Sequence, residues 1–103
     1  MIDDRQARRI LRRNLRKHGP AVQSLKVIEE AGELIQAVAK MMNSLPITQD
    51  IVEHIGEEMA DLEITLEQLR MAMPALEEYE EKWTERKLMR LAAAGAREGE
   101  RDE

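Results

Sequence analysis

Two short acidic segments carry most of the chemistry that this sequence offers. Residues 29–33 read Glu-Glu-Ala-Gly-Glu, and residues 57–61 read Glu-Glu-Met-Ala-Asp. Each segment holds a pair of carboxylates three residues apart, and on a helix such a pair projects from one side on adjacent turns. Hard divalent cations prefer oxygen ligands. The pattern therefore predicts a Mg²⁺ site, where waters retained by the ion can be replaced by substrate phosphate.

Both acidic segments lie in the middle of predicted helices. We predict an all-α fold with helices at about residues 3–17, 20–42, 48–73 and 75–94. The turn cluster at 43–48 is short, which favours antiparallel packing of the second and third helices, the core helices of the fold. In that arrangement four carboxylates converge beside the packing seam, namely those of Glu30, Glu33, Glu58 and Asp61.

The acidic pattern has two other interpretations, a di-iron site and a solvated helix face. A ferritin-like di-iron site needs Glu-x-x-His pairs, but Leu15 and Ile51 stand three residues before the two histidines, so that site is excluded. The chain has 21 Asp and Glu residues, and the same spacing recurs at Glu77 and Glu80. Spacing alone is therefore also typical of a solvated helix face.

The length and the apolar pattern predict one small domain. The 103 residues leave room for a single domain, which we assign to 1–94, and the charged, apolar-poor stretch 95–103 is expected to be disordered. Apolar residues cover a wide arc of the second helix, and a wide arc implies contact with more than one neighbour. We therefore expect a four-helix bundle completed by oligomerisation, as a homodimer or homotetramer.

Composition excludes some classes of protein. The sequence has no cysteine, no apolar run of the roughly 20 residues that a membrane span needs, and no signal-peptide pattern, so we expect a cytoplasmic protein without membrane contact. Residues 5–17 hold seven cations and no acid, which is typical of a nucleic-acid-binding helix. The net charge of −5 opposes nucleic acid, so this interpretation, like a non-catalytic helical interaction module, is the alternative.

The acidic segments and their neighbours resemble a known family. Residues 26–34 read Lys-Val-Ile-Glu-Glu-Ala-Gly-Glu-Leu. The second acidic segment, at residues 57–61, continues over residues 62–69 as Leu-Glu-Ile-Thr-Leu-Glu-Gln-Leu, so that the stretch spans 57–69. These stretches resemble the two core helices of MazG-like all-α nucleoside triphosphate pyrophosphohydrolases. The basic stretch 87–91 resembles the one that closes many single-domain members. The resemblance covers roughly residues 22–91 and leaves the basic segment 5–17 unmatched.

The resemblance implies a reaction and a set of roles. Such enzymes cleave a nucleoside triphosphate between the α and β phosphates, with Mg²⁺ as cofactor and Mn²⁺ as a substitute. The implied metal ligands are Glu30, Glu33, Glu58 and Asp61. Glu29 or Glu33 would orient or deprotonate the attacking water. Lys87 and Arg90 either bind the triphosphate or are cations favoured near a helix C-terminus. Base and sugar preference stay open, as does a phosphoribosyl-ATP pyrophosphohydrolase activity.

Overall fold

A computed structural model describes residues 1–99 of the chain. Those residues contain no strand and form three helices, α1 (Asp4–Met42), α2 (Gln49–Ala72) and α3 (Ala75–Glu98). The prediction of an all-α chain is confirmed. Four separate helices are not observed, because the first two predicted helices run together as α1. The predicted disordered tail is helical at residues 95–98, and residues 100–103 lie outside the described residues.

A kink at Gly19 explains why two predicted helices appear as one. Gly19 has φ 84° and ψ 163°, a conformation that is essentially confined to glycine. Pro20 follows and has no amide hydrogen to donate to the preceding turn. The predicted boundary between the first two helices therefore corresponds to a kink at which the direction of α1 changes. At the other end, Asp3 caps α1, since the Gln6 amide donates to its carboxylate at 2.8 Å and the Gln6 side chain accepts from the Asp3 amide at 3.0 Å.

The connection between α1 and α2 is closed by side chains that satisfy helix ends. The Asn43 side-chain amide donates to the Ala39 carbonyl at 2.8 Å, and the Ser44 hydroxyl donates to the Lys40 carbonyl at 2.7 Å. The Ile51 amide donates to the hydroxyl of Thr48 at 3.4 Å, which is the hydrogen bond that an N-cap residue accepts. These bonds satisfy polar groups that a helix end leaves unpaired, and they fix a tight reversal of the chain.

The chain divides into two compact units, the first spanning Met1–Ala72 and the second beginning at Met73. The first is a helical hairpin of α1 and α2. The second consists of α3, in which no residue is buried and Gly99 ends the helix in the left-handed conformation. Among residues 1–99, every helix falls short of the length and apolar character that a membrane span requires.

Helices α1 and α2 pack antiparallel. Asn14, near the start of α1, bonds to Gln68, near the end of α2, while Ala37 and Ile51 line one small cavity beside the turn. The buried side chains of this hairpin form a seam that is mostly polar. Its members are Gln23, Ala37, Glu58, Thr65 and Gln68. Ala37 is the one buried apolar residue among those described.

The faces predicted to be the apolar centre of the helices lie largely outside this seam. On α1 the exposed apolar face consists of Leu25, Ile28, Ile35 and Met42, each at least 65% exposed. On α2 the apolar residues Leu62, Leu66 and Leu69 are half-buried, whereas Met59 and Met73 are about half exposed. The hairpin therefore packs through the flank of each predicted apolar arc and leaves much apolar surface uncovered.

The kink gives a first testable prediction. In Gly19→Ala the added Cβ meets no atom within 4 Å, so the cost comes from backbone conformation alone. We expect the free energy of unfolding to fall by about 1–3 kcal/mol, measured by urea denaturation at one protein concentration. Gly56→Ala is the control, because the same substitution within a helix should raise stability by about 0.5–1 kcal/mol. Equal effects of both substitutions would contradict the kinked backbone.

Candidate metal centre

Three carboxylates from the two helices of the hairpin meet at one point. Glu30 comes from α1, while Glu58 and Asp61 come from adjacent turns of α2. One carboxylate oxygen of each lies within 4.8 Å of the others. We call these three residues the carboxylate cluster. The sequence predicts that they converge, and the antiparallel hairpin brings these three together.

Burial and like charge act together on Glu58. Its side chain is 8% exposed, although it lies on a hairpin with few other buried residues. Desolvation raises the pKa of Glu58 above its ordinary value of 4.5, and the charges of Asp61 and Glu33 raise it further. His54 opposes this shift in pKa, with its Nδ1 atom 3.9 Å from a Glu58 oxygen. The native fold therefore holds an acidic group where ionisation is disfavoured.

Glu30 shows the same effect from the other helix. Desolvation is again the largest cause that raises its pKa, followed by the charges of Asp61, Glu29 and Glu58, and Lys26 acts in the opposite direction. Two carboxyl groups on opposite helices thus have raised pKa values for the same physical reason. A bound cation would remove the repulsion between them and favour the ionised forms.

Glu33 and Glu29, the other predicted acidic site residues, lie next to the cluster on α1. Glu33 is exposed and is not part of the three-residue group, but its charge acts on Glu58. Glu29 is also exposed and forms an ion pair of 3.4 Å with Lys26. Their predicted roles, Glu33 as a metal ligand and either residue in activating water, stay predictions.

Lys87 and Arg90 belong to the second unit, on α3. Both are exposed, and the Arg90 guanidinium lies 5.9 Å from the centre of the Trp83 ring. Arg86 lies over the same ring at 5.2 Å. Arg90 therefore has a cation–π partner within its own helix. Whether Lys87 and Arg90 bind phosphate stays a prediction.

A polar cavity, which was not predicted from the sequence, adjoins the carboxylate cluster. It has a volume of about 210 Å³ and shares Glu30 and Asp61 with the cluster. Gln23, Thr65 and Gln68 also line it, and all three are buried. A heptad spacing is the signal that reveals two of them, because Gln23 lies seven residues before Glu30 and Thr65 seven residues after Glu58.

The composition of the cluster fits a hard divalent cation. All of its donors are carboxylate oxygens, which are the ligands that Mg²⁺ and Mn²⁺ prefer, and the chain has no cysteine to bind a softer metal. Burial and then the charges of neighbouring carboxylates raise the pKa values of Glu30 and Glu58, and a bound cation would offset the second of these causes. Glu30, Glu58 and Asp61 are therefore the residues of this hairpin best arranged to hold a metal ion.

Comparisons of the chain with protein-family models, with curated proteins and with solved structures find no match. The resemblance to MazG-like pyrophosphohydrolases therefore stays a prediction based on residue pattern. The chemistry of the site is therefore inferred from its own side chains.

The raised pKa values predict how stability depends on pH. Since the folded chain binds protons at Glu30 and Glu58 more tightly than the unfolded chain, their contribution favours folding below pH 4.5 and is lost as the pH rises through the raised values. Without divalent metal, the melting temperature of Glu58→Gln minus that of the native chain should therefore be larger at pH 7 than at pH 4.

The control is Glu63→Gln, which changes an exposed residue of the same helix that lies outside the carboxylate cluster. Thermal unfolding followed by circular dichroism, at fixed protein concentration and in EDTA, measures both differences. A Glu58→Gln difference that is the same at pH 4 and pH 7 would contradict a raised pKa for Glu58.

Proposed function

We propose that the protein is a Mg²⁺-dependent pyrophosphohydrolase that converts a nucleoside or deoxynucleoside triphosphate to the monophosphate and pyrophosphate. The observation that supports it best is the meeting of Glu30, Glu58 and Asp61 within 4.8 Å on two packed helices. The MazG-like residue pattern around these acids supplies the reaction class. Such an activity suits removal of unwanted nucleotides from the cytoplasmic pool, which is where the substrate would be found.

The carboxylate cluster would hold Mg²⁺, or Mn²⁺ in its place. When bound, the ion would neutralise phosphate charge and lower the pKa of a coordinated water. Glu30 and Glu58 approach from opposite helices, so hairpin packing fixes the spacing of the donor oxygens before any ligand arrives. Burial of Glu58 limits its rotamers and reduces the reorganisation that binding requires.

Glu29 and Glu33 are the proposed groups that orient or deprotonate the attacking water. Both are exposed side chains on α1 beside the cluster, so a water molecule and a substrate phosphate can reach them. Glu33 would also serve as a fourth metal ligand, consistent with the action of its charge on Glu58. Lys87 and Arg90 are proposed to bind the phosphates, because their positive charge complements the phosphate oxygens.

The hydrolase proposal predicts a large loss of activity in Glu58→Gln. Removing a direct metal ligand should lower kcat/KM by at least about 100-fold, because even residues that only support metal ligands cost about 10- to 100-fold. The measurement is pyrophosphate release from a panel of canonical, deoxy and damaged nucleoside triphosphates with millimolar Mg²⁺. Glu63→Gln, an exposed change on the same helix, should stay within a few-fold of the native chain.

One result would reject the proposed reaction, and another would reject the proposed site. The first is an absence of pyrophosphate release by the native chain from every triphosphate of the panel, with either Mg²⁺ or Mn²⁺. The second is full activity of Glu58→Gln, which would leave the reaction standing but remove the carboxylate cluster from it. Circular dichroism of each variant separates loss of a ligand from loss of the fold.

We also propose that a homodimer or homotetramer completes a four-helix bundle. The apolar face of α1 is exposed at Leu25, Ile28, Ile35 and Met42, and Val52 and Met59 of α2 are more than half exposed. A chain that buries one apolar residue among those described has little hydrophobic stabilisation of its own. A second copy offers a matching apolar surface in a symmetric contact.

Ile28→Glu tests this assembly. A charged side chain at the centre of the apolar face would be buried without a partner in the oligomer, so the dissociation constant should rise by at least about tenfold. Leu45→Glu is the control, because Leu45 is exposed in the turn that follows α1. Sedimentation velocity over a range of concentrations measures both. A native chain that stays monomeric at every concentration would contradict the proposal.

The alternative function is a nucleic-acid-binding or non-catalytic interaction module. The seven cations of residues 5–17 are all exposed, and none forms an ion pair with the part of the chain that the structure describes. Binding through such a surface would weaken steeply with salt and would not need the carboxylate cluster. The hydrolysis panel and the Glu58→Gln variant therefore distinguish this alternative from the enzyme.

A further inference from the structure

The polar cavity beside the carboxylate cluster has the features of a built ligand site. At about 210 Å³ it is smaller than the roughly 300–1,000 Å³ of pockets for drug-sized ligands, so it has room for a single small ring system but not for a whole nucleotide. Glu30 and Asp61 form one part of its lining. A group seated in the cavity would therefore lie directly beside a metal ion held by the cluster.

Three of the polar side chains that line the cavity are already committed to the protein. The Gln68 amide donates to the Leu11 carbonyl at 2.9 Å, and its carbonyl oxygen accepts from Asn14 at 3.0 Å. The Thr65 hydroxyl donates to the Leu62 carbonyl at 2.8 Å. These bonds hold the cavity wall in place and leave little freedom for Gln68 to turn towards a ligand.

Gln23 differs from these three. It is 2% exposed, yet its carboxamide makes no hydrogen bond with any residue that the structure describes. None of the described side-chain N or O atoms is both fully enclosed and unpaired, so the carboxamide of Gln23 retains contact with the open space of the cavity. A buried amide with both its donor and its acceptor unused is costly unless a ligand or water completes it.

We propose that this cavity is the nucleobase subsite of the enzyme and that Gln23 is its specificity-determining residue. A carboxamide offers one donor group and one acceptor side by side, which matches a base edge that presents the complementary pair. Val22 and Ile64 also line the cavity and supply apolar contact for a ring. The inference rests on the proposed hydrolase function, because the cluster would hold the phosphates of the same substrate.

The proposal gives the N-terminal part of α1 a role. Asn14 and Leu11 precede the kink at Gly19, and their bonds to Gln68 attach this segment to α2 at the edge of the cavity. The family resemblance begins only at about residue 22. Part of the cavity wall is therefore made by residues of this chain that the resemblance does not cover.

Binding of nucleosides tests the subsite separately from hydrolysis. Adenosine, guanosine, cytidine and uridine are titrated without metal while the side-chain amide signal of Gln23 is followed in ¹⁵N–¹H spectra of the full chain. At least one nucleoside should shift that signal saturably. Gln23→Leu should abolish saturable binding of that nucleoside, seen at the backbone amide of Thr65, and Gln36→Leu, an exposed change on the same helix, should preserve it. No saturable shift with any nucleoside would overturn the subsite.

Hydrolysis supplies the second readout. With Mg²⁺, Gln23→Leu should reduce the kcat/KM ratio between the preferred triphosphate and the others by roughly 10- to 100-fold. Gln36→Leu should leave that ratio unchanged. An equal loss for all bases, or an unchanged ratio, would overturn the role of Gln23. If Gln23→Leu does not fold, Gln23→Asn, which retracts the same amide by one methylene, is measured in its place.

The two readouts separate failure of the subsite from failure of the enzyme. Nucleoside binding at Gln23 without hydrolysis of any triphosphate would support the subsite and reject the pyrophosphohydrolase. Hydrolysis with a base preference that does not depend on Gln23 would support the pyrophosphohydrolase and reject the subsite.

Discussion

Repulsion among carboxylates inside a helix–helix seam is the constraint on which the rest of this hairpin depends. Glu30 and Glu58 lie on opposite helices, and the packing that brings the helices together also brings their negative charges together and away from water. An ordinary seam would place apolar residues there and gain stability from their burial. This hairpin gives up that gain at its centre, which is the pattern expected where function competes with stability.

The same constraint explains where the apolar residues lie. With polar groups at Gln23, Glu58, Thr65 and Gln68 in the seam, the aliphatic side chains of α1 are displaced to its outer face. That face cannot be covered by α2, since α2 already occupies the other side of the helix. In the proposed assembly a second copy of the chain would cover this face, so the proposed metal site inside the hairpin and the proposed association surface outside it would be two consequences of one arrangement.

Part of this was predictable from sequence, and the failures have a common cause. Helical period, turn residues and the three-residue acid spacing depend on local geometry, so they predicted the hairpin and the approach of Glu30 to Glu58 and Asp61. The choice of packing face did not follow, because both helices carry apolar residues over an arc wide enough for two faces. The most hydrophobic residues of α1 lie on its outer face, whereas the heptad spacing of Gln23, Glu30 and Ala37 marks the face that packs against α2.

The kink at Gly19 shows how a backbone detail can reach the site. Without a change of direction there, α1 would continue straight past the position from which Asn14 and Leu11 bond to Gln68. Those bonds use both ends of the Gln68 amide, whereas the amide of Gln23, which lines the same cavity, makes no hydrogen bond with any described residue. The kink at Gly19, a conformation that residues with side chains rarely adopt, thus places the segment that bonds to Gln68, and this segment forms part of the wall of the cavity beside the carboxylates.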